Sequence, residues 1–255
     1  MKEHYWIPSR NKRLSAIVHT PEHPAGDLLV VVCHGFTGDK IGANQLLLRL
    51  ALAMESAGIH VVRFDFAGSG ESEGEFASDT TVSGWKEDLR SVIAWAGQQP
   101  TLAGLKVCLL GHSLGGYLAC SYDDSEGPAA GKIALAPVVR PVENFQQIIL
   151  GPQLWEQALR GETIANFYGK GFTLDGGFVR DLLKQPDLTT EPGLQGRCLI
   201  VHGAADIAVP VAGSQTLQRV SGSGIELHVL PDADHVFTGR IQQLQTVILN
   251  WLHNL

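Results

Sequence analysis

No stretch of this 255-residue chain approaches the ~18 consecutive apolar residues that a membrane-crossing helix needs. Its first ten residues, MKEHYWIPSR, hold no apolar signal core, so a soluble cytoplasmic protein is the expectation. Asn-x-Ser/Thr acceptor sites are missing too, in keeping with that expectation. Basic residues are in deficit. The 19 Lys and Arg against 26 Asp and Glu leave a net charge of −7, which offers no basic face for nucleic acid. Cysteine is scarce: Cys33, Cys108, Cys120 and Cys198 show no paired metal spacing. Three of them fall in apolar, strand-like runs, where a thiol behaves as a small buried hydrophobe, and no disulfide framework is expected. No His-Glu-x-x-His or Cys/His cluster occurs, so neither a metal nor a cofactor is expected.

What is present is alternation. β-rich runs begin at Leu28 (LLVVVCH), His60 (HVVRFDF), Leu105 (LKVCLLG), Gly131 (GKIALAP), Arg197 (RCLIVHG) and Ile225 (IELHVLP). Their near-continuous Val, Leu and Ile suit strands buried on both faces of a mainly parallel sheet. Tyr5–Pro8 and Leu14–Thr20 read as an antiparallel hairpin at one edge. Helical stripes lie between the strands: Leu46, Leu47, Leu50, Met54 and Ala57 before a capping Gly58, then Trp85, Leu89, Val92, Ile93 and Ala96, and finally Ile241, Leu244, Ile248, Trp251 and Leu252. Residues 137–192 break the pattern, with Phe145, Trp155, Phe167, Tyr168, Phe172 and Phe178 among glycines and glutamines. A structureless loop of that size is improbable, so this segment reads as an inserted cap of short helices or a small hairpin within one α/β domain spanning 1–255.

At Leu110–Gly116, LGHSLGG, a buried strand meets a helix. Ser113 stands between Gly111 and Gly115, the G-x-S-x-G spacing of a sharp strand-to-helix turn that exposes a hydroxyl at the carboxyl edge of a sheet. A serine hydroxyl is a weak nucleophile and needs a base oriented by a third group. Asp206 follows the strand from Arg197 in VHGAADIAVP, and His235 follows the strand from Ile225 in PDADHVF. The chain order serine, acid, histidine is the one such a turn requires. Asp232 and Asp234 flank the histidine and are expected to shape its turn, while Asp187 is a weaker alternative acid. His34, His112 and His202 also stand at strand ends, where packing or loop hydrogen bonds are the simpler reading. Two backbone amides are expected to receive a developing oxyanion: Leu114, at a helix start, and Phe36, presented by the turn at Gly35 in HGFTGD. GSGESEG (68–74) has the wrong spacing for a dinucleotide loop and GPAAGKI (127–133) falls short of a phosphate loop, so both read as structural.

Together HGFTG, RFDFAGSGESEGEF, GHSLGG, HGAADIAVP and DADHVF resemble the α/β-hydrolase family, and within it the small microbial carboxylesterases that include cinnamoyl (feruloyl) esterases. The similarity spans nearly the whole chain in motif order and spacing, with a cap after LAPVV that contains LDGGFVRDLLKQ. The resemblance implies a mostly parallel eight-stranded sheet and a cap that helps to form the acyl pocket. It also implies a triad of Ser113, Asp206 and His235 with oxyanion amides on Phe36 and Leu114. Leu114 departs from the glutamine that many feruloyl esterases carry there, which keeps the backbone role and alters the pocket floor.

The function expected is hydrolysis of small acyl or aryl esters, hydroxycinnamoyl esters among them, through an acyl-enzyme. A thioesterase, amidase or peptidase would use the same triad, and a non-catalytic receptor on the same fold is the remaining alternative. The expected partner is a small-molecule ester, with no nucleic acid and no membrane; homodimerisation is left open.

Overall fold

The Val-, Leu- and Ile-rich runs form the strands of one sheet: the inner ones supply apolar side chains to both faces and backbone polar groups to neighbours on both sides, while the run at Ile225 closes one edge. The computed structural model describes residues 1–190, 194 and 196–255. In chain order the strands are β1 (Lys2–Ser9), β2 (Lys12–His19), β3 (Leu28–Cys33), β4 (His60–Phe64), β5 (Lys106–His112), β6 (Gly131–Leu135), β7 (Ile164–Phe167), β8 (Phe172–Leu174), β9 (Cys198–Gly203) and β10 (Ile225–Leu230). Eight of them form a sheet in the order β1-β2-β4-β3-β5-β6-β9-β10, antiparallel at β1-β2 and β2-β4 and parallel thereafter. Strand order reverses between β3 and β5, and a crevice at the carboxyl ends is the usual place for a ligand in such a sheet.

Two apolar layers cover the sheet. On one face the helix Val82–Ala96, started by the Thr81 hydroxyl accepting from Gly84 N (3.1 Å), packs Trp85 flat on Phe66 with ring centroids 4.3 Å apart. On the other, the helix Leu46–Ser56 buries Leu46, Leu47, Leu50 and Met54, and the helix Ile241–His253 buries Leu244, Ile248, Trp251 and Leu252; Ala57, expected in the first stripe, is exposed at that helix's end, and Ile241 is half-buried. Gly58, at φ 85°, takes the left-handed position just past the first of these helices. All four cysteines are buried and free. No helix among the described residues is long and apolar enough to cross a membrane.

Between β6 and β9 the chain forms both short helices and a hairpin. A helix at Pro141–Asn144 runs into a wider turn at Phe145–Ile149, and a second helix spans Gly151–Leu159. The antiparallel β7–β8 pair and the helix Gly176–Leu182 follow. Leu188 N donates to the Val139 carbonyl (3.0 Å), bringing the two ends of this stretch together. Residues 191 and 192, the last two of the expected cap, lie outside the described residues.

The β1–β2 turn is fastened to the helix Val82–Ala96 by Asp88, whose carboxylate has no solvent contact. Arg10 donates to both of its oxygens (2.9 and 2.7 Å), and Ser9 Oγ (2.7 Å) and Ala67 N (3.1 Å) complete the shell. Removing one partner of a buried ion pair strands the other charge, at a cost of about 3–5 kcal/mol. Asp88→Ala should therefore lower the calorimetric Tm by about 10 °C, and a shift below about 2 °C would show that this network is dispensable.

Candidate active site

β5 ends at His112 and the chain turns at once into the helix Leu114–Cys120, with Ser113 at the corner. Ser113 has φ 58° and ψ −118°, which a residue with a side chain adopts only when its surroundings impose it. Its N–H donates to the Leu135 carbonyl of β6 (2.8 Å), and its carbonyl accepts from Tyr117 N and Val138 N (3.1 Å each). The turn is too crowded for side chains on its flanks. A Cβ on Gly111 would lie 1.9 Å from the Gly115 carbonyl oxygen, and a Cβ on Gly115 would lie 2.4 and 2.5 Å from the carbonyl oxygens of Cys33 and His34. A Cβ on Gly35 would meet Ser113 Cβ at 3.0 Å, so the turn after β3 rests directly against the serine.

Among the described residues, the amides of Phe36 and Leu114 have no hydrogen-bond partner. The turn that presents Phe36 is braced from below. Fully buried His34 donates from Nδ1 to the Gly35 carbonyl (2.8 Å) and accepts the Phe66 N–H at Nε2 (3.1 Å). That pattern needs the neutral ring, and burial holds its pKa below the ordinary value. Farther along the same loop, Lys40 N donates to Asp65 Oδ1 (2.6 Å), while its ammonium bridges Asp65 and Glu71 (2.5 and 2.6 Å). The Phe36 ring packs against Phe178 (4.7 Å), Phe145 (5.1 Å), Phe76 (5.4 Å) and Phe167 (5.8 Å). Phe145, Trp155, Phe167 and Phe178 are all buried, so most aromatics of the 137–190 stretch form packed core behind the turn; Tyr168 stays exposed.

Asp206 and His235 are joined. His235 Nδ1 donates to Asp206 Oδ2 at 2.7 Å, which leaves Nε2 free to accept a proton. Asp206 Oδ1 accepts from Ala208 N (2.9 Å) and Val209 N (2.8 Å), and His202 Nε2 lies 3.4 Å from Oδ2 while donating mainly to the Val209 carbonyl (2.8 Å). Burial pushes the Asp206 carboxyl up, but these donors outweigh it and hold the group well below the usual carboxylate range. His112 Nε2 donates to the His235 carbonyl (2.8 Å), with the two rings 4.7 Å apart. Burial, aided by His235, pushes His112 down to about 3, so it is a neutral donor. Ser113 Oγ and His235 share no hydrogen bond among the described residues, and such contacts commonly tighten only when substrate arrives.

The decoys separate cleanly. Asp234 accepts from Val236 N and Thr238 N, shaping the turn, and Asp232 is exposed with Arg240 at 3.8 Å. Asp187 accepts from Thr189 in a local turn. His202 Nδ1 pairs with Ser214 Oγ (2.8 Å). No group of three or more His, Cys, Asp or Glu that could hold a metal exists among the described residues. Sequence reasoning passed over the Lys40–Asp65 brace. The signal open to it was a lysine just after the HGFTGD turn and an aspartate ending the apolar HVVRFDF run.

Residues 25–173 match the model of the Hydrolase_4 family, described as serine aminopeptidase, S33. The chain belongs to this family. The hydrolase is 28% identical to a monoacylglycerol lipase from Mycolicibacterium smegmatis over 274 aligned residues, covering 95% of this chain and 93% of the lipase. It is 37% identical to an uncharacterized 31.7 kDa protein of Escherichia coli over 109 residues, which is 42% of this chain and spans 37% of that protein's length. Est1E from Butyrivibrio proteoclasticus, with ferulic acid bound, superposes with a TM-score of 0.85 at 21% identity over 98% of each chain, which shows the α/β-hydrolase fold. The family match ends before Asp206 and His235, so for those two the geometry above carries the argument.

The crowding at the corner predicts an unequal pair of variants. Gly115→Ala forces backbone against backbone and should yield little folded protein, or lower stability by more than the ~1–3 kcal/mol of ordinary overpacking. Gly97→Ala, whose new Cβ would meet nothing nearer than 3.6 Å, should stay within about 0.5 kcal/mol of the parent in urea titrations. Equal effects would contradict the reading of the corner.

Proposed function

We propose that this hydrolase cleaves carboxylic esters of small acyl or aryl acids through an acyl-enzyme on Ser113. The observation that carries the reading is a half-assembled relay near a strained serine: His235 Nδ1 bound to buried Asp206, and two unpaired amides on the adjoining turns after β3 and β5. His235 Nε2 takes the Ser113 proton as Oγ attacks the ester carbonyl. Asp206, ionised well into the acid range, holds the imidazole in that tautomer and stabilises the imidazolium. The Leu114 and Phe36 amides receive the negative charge that develops on the carbonyl oxygen. His235 then returns the proton to the departing alcohol, and water activated by the same nitrogen releases the acid.

The stretch 137–190 acts as a cap, its buried phenylalanines packing around the turn that presents Phe36, and the acyl group proposed is short or planar. The lipase relative and ferulic acid bound to Est1E support an ester, and the family description favours a second reading, an amide or peptide bond. Both readings share the first step, so a panel decides between them: p-nitrophenyl butyrate, methyl ferulate and a monoacylglycerol against butyryl thioester and alanine p-nitroanilide. Ester turnover should dominate, and Ser113→Ala should cut kcat by at least about 10³-fold with the fold unchanged. Dominant anilide cleavage would move the assignment to the peptidase reading, and undiminished turnover by Ser113→Ala would refute the mechanism.

A further inference from the structure

His34, His112 and His202 stand at the carboxyl ends of β3, β5 and β9, and each spends a ring hydrogen on a loop carbonyl. Two of the three act within their own neighbourhood: His34 secures the turn that follows it, and His202 secures the loop bearing Asp206. His112 differs because its partner is 123 residues away, in the loop that carries the base. We propose that His112 is a positioning residue for the base, its Nε2–H bond to the His235 carbonyl fixing the base loop to the serine's own turn. The proposal rests on the acyl-transfer reading of Ser113, Asp206 and His235.

The geometry gives His112 a task that no other group performs. A carbonyl only accepts, so His112 must carry its hydrogen on Nε2, and its other nitrogen then faces the turn at Gly35, where a Cβ would lie 3.6 Å from Nδ1. The remaining anchors of the base loop lead elsewhere. Ala205 N donates to the Ala233 carbonyl and His235 binds Asp206, which join the base loop to the acid loop, while Asp234 closes the loop on itself. Among the described residues, the His112–His235 bond is the one hydrogen bond between residues 231–240 and the serine corner. The other hydrogen bonds of the base loop thus tie base to acid, and this one ties base to nucleophile. Ser113 and His235 share no hydrogen bond in this state, so the direct polar link between their two loops runs through the neighbouring residue, His112. The titratable groups facing His112 are His235, Asp206 and His202.

Four variants, each paired with wild type, test this with p-nitrophenyl butyrate kinetics and with the low-field proton NMR signal of His235 Nδ1–H. Loss of register by an ångström costs about 100-fold, so His112→Leu should lower kcat about 10- to 100-fold while KM stays within about 2-fold. His112→Gln, whose amide reaches the same carbonyl, should recover most of that loss, and His112→Asn, too short to reach it, should not. The His235 Nδ1 proton should be sharp in wild type and the Gln variant and broadened in the Leu variant. Wild-type kcat in His112→Leu, or equal activity of the Gln and Asn variants, overturns the proposal. If the Leu variant does not fold, the Gln and Asn pair makes the same comparison. Ser113→Ala separates the two levels: if it keeps activity the acyl-transfer reading fails, whereas its loss together with a fully active His112→Leu refutes the positioning role alone.

Discussion

The site depends on one close backbone approach, between the carbonyls that end β3 and the first turn of the helix after β5. Gly115 lies so near Cys33 and His34, and Gly111 so near Gly115, that no side chain fits at either glycine. That contact holds Ser113 in a conformation it would not choose and sets the turn at Gly35 against its Cβ. One constraint therefore delivers a raised hydroxyl, the free amide that opens the helix and the free amide of Phe36 to the same place. Local strain of about 1–3 kcal/mol persists only because surrounding structure over-determines it, and here three hydrogen bonds through the Ser113 backbone do so.

The second half of the site is electrostatic. A carboxylate taken out of water is costly unless its oxygens are satisfied, and Asp206 receives two backbone N–H groups and an imidazole N–H. Those donors fix its ionised form, and the ionised form fixes which nitrogen of His235 carries hydrogen. Histidines at three strand ends extend the same logic, each oriented by a loop carbonyl that its ring N–H meets. The polar groups beneath the site thus serve orientation, while the apolar layers on the two sheet faces supply the bulk of the folding free energy.

Much of this was legible in the chain because periodicity and turn chemistry are local. The runs at Leu28, His60, Leu105, Gly131, Arg197 and Ile225 each became a strand, and the serine corner was marked by glycines two residues on either side. Asp206 and His235 were legible through their positions just after strands. What stayed hidden was pairing across distance. Nothing near His112 in sequence indicates a partner at His235, and nothing in HGFTGDK indicates that Lys40 will be buried against Asp65. The expected cap, 137–192, reads as short helices or a hairpin, and its described residues hold both, because its short, glycine-broken runs satisfy neither period long enough to decide. Three of its aromatics, Phe145, Phe167 and Phe178, are buried around Phe36, and ring packing against a distant turn leaves no periodic trace.

The central claim is that the raised serine is a nucleophile activated by its neighbours, and covalent trapping tests it most directly. Incubation with a fluorophosphonate, followed by intact mass and tandem mass spectrometry, should give one adduct per chain, mapped to Ser113 and abolished by prior acid denaturation. A chain that stays unlabelled while folded, or a label on another residue, would contradict the account.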